Sequence, residues 1–199
     1  MKFRQLYIIW GLLLWVWQGF AQSSGSNKLY IPEMQAVAGS TASIPVHLDN
    51  SNEIVAFQFD LEFPGRTSPV LDGKGHLAVE LSERMASDVV GTYNRLTSNK
   101  YRLLVFSPSN STIGGIKGKI LSFQAKIEDK EDLIGKTIKF EITNVILSKK
   151  DAGKVDYTLG KTEVEIVRGN RPDLEVSAVS PGTTSSKINN SFNPSSSIS

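Results

Sequence analysis

The chain contains no cysteine, only two histidines, and no tryptophan beyond position 17. The first absence removes disulfides, thiolate metal sites and cysteine nucleophiles together. The second leaves His47 and His76 as the only imidazoles. His47 lies in an apolar strand context, and His76 follows Gly73-Lys74-Gly75 in a glycine-rich loop. A Ser-His-Asp triad needs a histidine held between a nucleophile and a carboxylate, and no nucleophile-elbow sequence accompanies either one. The third absence weakens a glycan-binding reading, because sugar rings stack on exposed aromatics. Trp10, Trp15 and Trp17 all precede the folded region, which leaves Tyr93, Tyr101 and Tyr157 as stacking candidates. Charge of one sign is lacking too. There are 22 Lys and Arg against 20 Asp and Glu, and Lys2 and Arg4 account for the excess. No basic stripe points to nucleic acid, and no basic amphipathic helix points to a membrane surface.

What is present begins with an export signal. Lys2 and Arg4 form a positive end, Leu6 to Trp17 is an apolar run of twelve residues, and Gly19-Phe20-Ala21 supplies small residues before a cleavage point. A run of that length is short for a bilayer span, so residues 1–21 read as a secretory signal peptide and the mature chain carries no membrane span. No cysteine follows the site to take a lipid. Export without cysteine fits a bacterial extracellular protein better than a eukaryotic one. Residues 22–27 form a polar leader, 28–168 a single domain large enough for a sizeable core, and 169–199 a different segment. In that last segment Arg171 to Pro181 resembles the first strand of an adhesion-like immunoglobulin-type repeat, cut short before a Ser- and Asn-rich end.

The domain reads as strands throughout. Between Phe57 and Phe63, Phe57, Phe59, Leu61 and Phe63 alternate with Gln58, Asp60 and Glu62. Strand side chains alternate faces, so this segment has one aromatic face for a core and one acid-amide face. Pro64-Gly65 ends it. Other strand segments are Lys28–Ile31 with Gln35–Val37, Ala42–Leu48, Leu77–Leu81, Lys100–Phe106, Lys119–Glu128, Thr137–Leu147, Val155–Tyr157 and Lys161–Val167. Met85–Asn94 suits strand or loop, and Glu128–Leu133 is the one helical turn. Pro32 and Pro45 predict that the first two strands lie at edges or bulges. About nine short strands without a sustained helical period predict an all-β sandwich.

Three stretches resemble a known family. Ile44 to Asn50 followed by Ile54 to Leu61, then Gly114 to Ile127, then Ile138 to Ser148 are similar in order and spacing to the strands of a cohesin domain, over residues 28 to 168. The likeness is to the divergent cohesin-like modules of secreted Bacteroidetes-type proteins. It implies a jelly-roll β-sandwich, no catalysis, and a protein partner, a dockerin-like module, held on one sheet face. The strands it implies for that face are Ile54–Phe63, Asp88–Asn94, Lys100–Phe106 and Thr137–Leu147. Gln58, Asp60 and Glu62 form the outward set on the first. Arg102, Leu104 and Phe106 share one face of Lys100–Phe106 and Tyr101, Leu103 and Val105 the other; both faces are apolar enough to be the core. An outward Leu104 beside Arg102 would suit an interface anchor.

Three other constellations are weaker. Asp60 and Glu62, about 7 Å apart on one strand face, match a glycosidase pair in spacing, but no neighbour would set their pKa values apart. Gly114 to Lys119 suggests a phosphate loop, yet Ile113 and Ile120 occupy the positions of its first glycine and its hydroxyl residue. Asp49, Asn50, Asn52 and Glu53 offer oxygens for a structural Ca²⁺, without the spacing of a calcium loop. No other cofactor is implied. The expected protein is a non-catalytic extracellular recognition module in a system that attaches to or degrades polysaccharide. A carbohydrate-binding module and a structural spacer remain alternatives.

Overall fold

A computed structural model describes residues 27–169. The expected signal peptide and the segment resembling a second module lie outside the described residues. In chain order the strands are β1 (Asn27–Tyr30), β2 (Gln35–Val37), β3 (Thr41–Asp49), β4 (Ala56–Glu62), β5 (Thr67–Pro69), β6 (Val79–Leu81) and β7 (Val90–Arg95). They continue with β8 (Lys100–Phe106), β9 (Lys119–Ile127), β10 (Thr137–Lys139), β11 (Glu141–Ser148), β12 (Lys154–Val155), β13 (Tyr157–Leu159) and β14 (Glu163–Val167). A single 3₁₀ turn, Glu131–Leu133, falls inside the expected helical turn. Among the described residues no helix is long and apolar enough to cross a membrane.

The strands form three sheets. One runs β13-β1-β3-β9-β5, with β6 also on β9; one runs β12-β11-β4-β8-β7; and a small third runs β10-β14-β2. The first two face each other across the core, as the alternation in β4 requires. Phe57, Phe59 and Leu61 are at most 1% exposed and meet Val46, Leu121 and Phe123 of the opposite sheet, all fully buried. Phe63, just past β4, packs edge-on against Tyr101 at 6.0 Å, Phe123 at 5.6 Å and Phe140 at 5.7 Å between ring centres. Edge-to-face packing sets the positive rim of one ring on the negative face of the next.

Several details differ from expectation. β1 is not an edge: β13 and β3 flank it, and Pro32 lies beyond its end. Pro45 is also inside a sheet, but the ladder from β1 to β3 stops at His47, so the proline lies past its end, where no β1 residue requires an N–H. A register shift between Val46 and His47 follows it. Just past Pro64-Gly65, a short strand absent from the expected set, β5, pairs along β9. The segment Thr137–Leu147 is two strands in different sheets, β10 pairing with β14 and β11 with β4. Ile138, Phe140 and Ile142 are all buried across that switch, so the alternation runs on while the partner strand changes.

One side chain closes the end of the sandwich. Arg84 donates from Nη1 to the carbonyls of Leu48 and Gly118, both at 2.8 Å. Its Nε donates to Gly114 O at 2.6 Å, and Nη2 to Asn50 Oδ1 at 2.6 Å. The planar fork thus satisfies acceptors from β3, the turn after it and the 114–118 loop, which lysine's point charge cannot do. Arg84→Ala is expected to lower the unfolding free energy by about 2–3 kcal/mol, with Arg84→Lys recovering less than half. Urea unfolding followed by tyrosine fluorescence checks this; equal stability of Arg84→Lys and wild type would show that charge alone suffices.

Candidate functional site

The outer face of the sheet β12-β11-β4-β8-β7 is the candidate site. The four strands that the resemblance implied for a partner face are its neighbours, in the order β11-β4-β8-β7. Register fixes which side chains share it. Ala56 pairs with Phe106, Gln58 with Leu104, Asp60 with Arg102 and Glu62 with Lys100. Across β7, Phe106 faces Val90, Leu104 faces Thr92 and Arg102 faces Asn94. Across β11, Gln58 faces Ile146 and Asp60 faces Thr143. The face therefore carries an apolar half, with Val90, Phe106, Leu104, Ala56 and Ile146, and a charged half, with Asp60, Arg102, Glu62, Lys100 and Glu141.

This arrangement resolves the two-sidedness of β8. Tyr101, Leu103 and Val105 are at most 1% exposed, so they are core, and Arg102, Leu104 and Phe106 are partly exposed on the outer face. The five expected partner-facing residues, Gln58, Asp60, Glu62, Arg102 and Leu104, lie together there. Asp60 needs a correction. It points outward from β4 but is only 1% exposed, because Arg102 lies over it.

Both oxygens of the Asp60 carboxylate are engaged. Arg102 donates to it twice, from Nε to Oδ1 at 2.7 Å and from Nη2 to Oδ2 at 2.9 Å. Asn144 Nδ2 donates to Oδ2 at 2.7 Å from the opposite side. The Arg102 hydrogen bonds hold the Asp60 pKa below the usual aspartate value against the opposing effect of burial, with Asn144 adding to them. In turn the Asp60 bonds raise the Arg102 pKa. Asn144 reaches the carboxylate because the chain bulges there. The β11 register shifts between Thr143 and Ile146, and Asn144 adopts a left-handed φ of 52°, a conformation asparagine tolerates better than most residues. One buried oxygen beside this network, Thr143 Oγ1, has no hydrogen-bond partner. At the rim, Glu62 pairs with Lys100 at 3.3 Å and accepts from Asn99 at 3.4 Å.

Asn144 was not among the expected site residues, although the sequence carries its signal. Buried positions are even at Ile138, Phe140 and Ile142 and odd at Val145 and Leu147. That slip of phase, at an asparagine, marks a bulge. Arg84 had no comparable signal, since most of its acceptors are backbone carbonyls, at Leu48 and in the 114–118 loop, far from it in sequence.

The competing constellations are taken apart by the fold. Asp60, held ionised by three donors and only 1% exposed, is poorly placed for acid–base work. In the glycine-rich loop the carbonyls of Gly114, Gly115 and Gly118 point at the Arg84 guanidinium; a phosphate cradle needs N–H groups pointing inward. The turn considered for Ca²⁺ spends its oxygens elsewhere: Asn50 Oδ1 on Arg84, Asn52 Oδ1 on Asn27 and Asp49 Oδ1 on Tyr30. A guanidinium 2.6 Å from Asn50 opposes a second cation there. Among the described residues no group of three or more His, Asp or Glu is placed to hold a metal. The tyrosines form no platform: Tyr101 is core at 1% exposure, Tyr157 is on β13 of the other sheet, and Tyr93 shares the inward side of β7 with Gly91. His47 stacks against Tyr30 at 5.4 Å, while His76 sits 3.6 Å from Asp72.

Comparison with known proteins gives the fold its name. No protein-family model and no curated protein matches the sequence. Solved structures do match, and they are cohesins. The sixth cohesin of scaffoldin B from Acetivibrio cellulolyticus, solved with a mutant dockerin, superposes with a TM-score of 0.60 at 15% identity, over 71% of this chain and 99% of that one. A non-cellulosomal cohesin from the archaeon Archaeoglobus fulgidus gives 0.56 at 13% identity, over 71% and 91%. A type I cohesin from Clostridium thermocellum, also solved with a dockerin, gives 0.59 at 16%, over 72% and 94%. The described domain therefore has the cohesin β-sandwich fold.

The ion pair makes an asymmetric prediction. Arg102→Ala takes both charged donors from Asp60 and leaves it only Asn144, so it is expected to destabilise the domain measurably. Asp60→Ala leaves an arginine whose side chain is already 40% exposed and can turn to water, so it is expected to cost clearly less. Chemical denaturation of both variants decides this, and equal losses would refute the burial argument.

A second prediction concerns acid. Asp88 accepts from Ser107 Oγ at 2.6 Å and from Ser109 Oγ at 2.6 Å, and these bonds hold its pKa down to about 2. Asp60 and Asp88 are both depressed, so each contributes stability that is fully present well above the unfolded aspartate pKa of about 3.9 and is lost as pH falls through its folded value, about 2 for Asp88. Melting temperature should hold from pH 7 to pH 5 and fall below pH 4, less steeply in Asp88→Asn.

Proposed function

We propose that this domain is a non-catalytic recognition module that docks a dockerin-type protein partner on the outer face of β12-β11-β4-β8-β7. The observation that carries this reading is the apolar half of that face. Leu104, Phe106 and Ile146 stay partly exposed at the centre of a sheet whose other side is buried along β11, β4 and β8, with Val90 42% exposed at its rim. Apolar side chains grouped beside an ordered ion pair, framed by Thr92, Asn94 and Gln58, have the make-up of an interface centre with a polar surround. Support comes also from the solved cohesins of the same fold, two of them with dockerins.

The setting in this proposal is extracellular, on the strength of the leader read in residues 1–21, in a system that binds or degrades polysaccharide. The scattered tyrosines favour a protein partner over direct stacking on a glycan.

The test is titration of the purified protein with a panel of recombinant dockerin modules, with and without Ca²⁺, by calorimetry. At least one is expected to bind, with Leu104→Glu reducing affinity tenfold or more (about 1.4 kcal/mol) while the melting temperature changes little. Binding to insoluble glycans with no dockerin bound would replace this reading by a carbohydrate-binding one. Binding to neither would leave a spacer domain.

A further inference from the structure

The charged half of the docking face sets the chemistry its partner must bring. Asp60 is the deepest acid on the face, yet it offers nothing to an incoming group. Each of its oxygens already accepts an Arg102 donor at 2.7–2.9 Å, Oδ2 also accepts Asn144, and the residue is 1% exposed. What faces solvent above it is the guanidinium. The Arg102 side chain is 40% exposed and uses Nε and Nη2 on Asp60; Nη1 makes no hydrogen bond to any described residue. The geometry leaves the outer edge of a planar, pre-oriented fork pointing away from the sheet.

We infer that the partner of this face places a carboxylate against the free edge of Arg102, next to aliphatic side chains over Leu104, Phe106 and Ile146, and that this acidic contact sets partner choice. The inference rests on the docking reading above. The occupant is a partner helix that carries an Asp or Glu beside an apolar stripe. Along β8, Arg102, Leu104 and Phe106 follow one another in steps of about 7 Å, near enough to the 5.4 Å turn of a helix for one acidic and two aliphatic residues to meet them. Asp60 holds the guanidinium in place from below, so little side-chain freedom is lost when the third group arrives. A partner lysine or arginine at this point would meet a cation whose counter-ion is buried behind it. A partner hydroxyl would find the carboxylate covered, at 1% exposure, by the Arg102 side chain.

The experiment is a display library of dockerin modules randomised on their helices, selected against the full protein and against a double variant, Asp60→Asn with Arg102→Gln. The double variant keeps the shape of the pair and leaves no buried charge unpaired; a circular dichroism melt establishes that it folds. Binders to the wild type are expected to share an Asp or Glu at one helix position, with aliphatic residues one turn away. Against the double variant the acidic preference should vanish, the aliphatic preference should remain, and wild-type binders should lose ten- to a hundredfold in affinity, about what a charged hydrogen bond supplies. Binders that carry Ser, Thr, Lys or Arg at that position, or an acidic preference unchanged by the double variant, would overturn the inference and leave the docking reading standing. A folded wild-type protein that selects no dockerin at all would remove the docking reading, and this inference with it.

Discussion

The candidate face is organised around a carboxylate that has no water to solvate it. Asp60 sits at the middle of the middle strand, with β8 on one side and the bulge of β11 on the other. Burying an ionised carboxylate is costly unless donors surround it. Here the donors are Arg102 from one neighbour and Asn144 from the other, so satisfying one charge ties three strands together at a single level of the sheet. The bulge follows from the same need: a regular strand would continue the alternation past Thr143 and turn Asn144 toward the core. The left-handed turn at Asn144 brings its amide onto the outer side and resets the alternation, so that Val145 and Leu147 again point inward.

The two halves of the face depend on each other through that network. A sheet with one buried face ordinarily keeps its other face polar. In β8 the outer positions are Lys100, Arg102, Leu104 and Phe106, and the last two are apolar. Exposed Leu and Phe cost little in place, since each is only partly solvated, but they lend the sheet no rigidity of their own. The ion pair and the Glu62–Lys100 pair beside it supply fixed polar contacts across β4 and β8. Such contacts add little net stability by themselves, and their better-attested role is to specify one arrangement.

The fold was legible where burial obeys a period of two. β4, β8, β9 and β14 lie within two residues of their expected limits, because Phe57–Phe63, Lys100–Phe106, Lys119–Glu128 and Lys161–Val167 each have one strongly apolar side. Legibility failed where a strand changes partners without changing its pattern. Ile138, Phe140 and Ile142 alternate without a break, and nothing in the residues marks the passage from β10 to β11. The prolines were read only in part: β2 is an edge and a register shift follows Pro45, as an edge or bulge required, while β1 and β3 are interior. Proline removes a donor on one side only, so Pro45 fits an interior strand whose neighbour stops short, a fact about β1 that β3 cannot reveal.

For the site, alternation put Gln58, Asp60 and Glu62 on one face of β4 and misread the exposure of one of them. Gln58, Asp60 and Glu62 were placed outward by alternation, and outward is where their Cα–Cβ bonds point. Alternation says nothing of what lies on top. On an isolated strand Asp60 is an exposed acid; opposite Arg102 it becomes the buried half of a pair, and the exposed charge changes sign from acid to base. A partner that reads this face therefore reads Arg102, and the fold shared with dockerin-binding cohesins does not by itself determine that sign. The charge this face presents is set by one cross-strand pair, in a sandwich that superposes on cohesins at 12–16% identity.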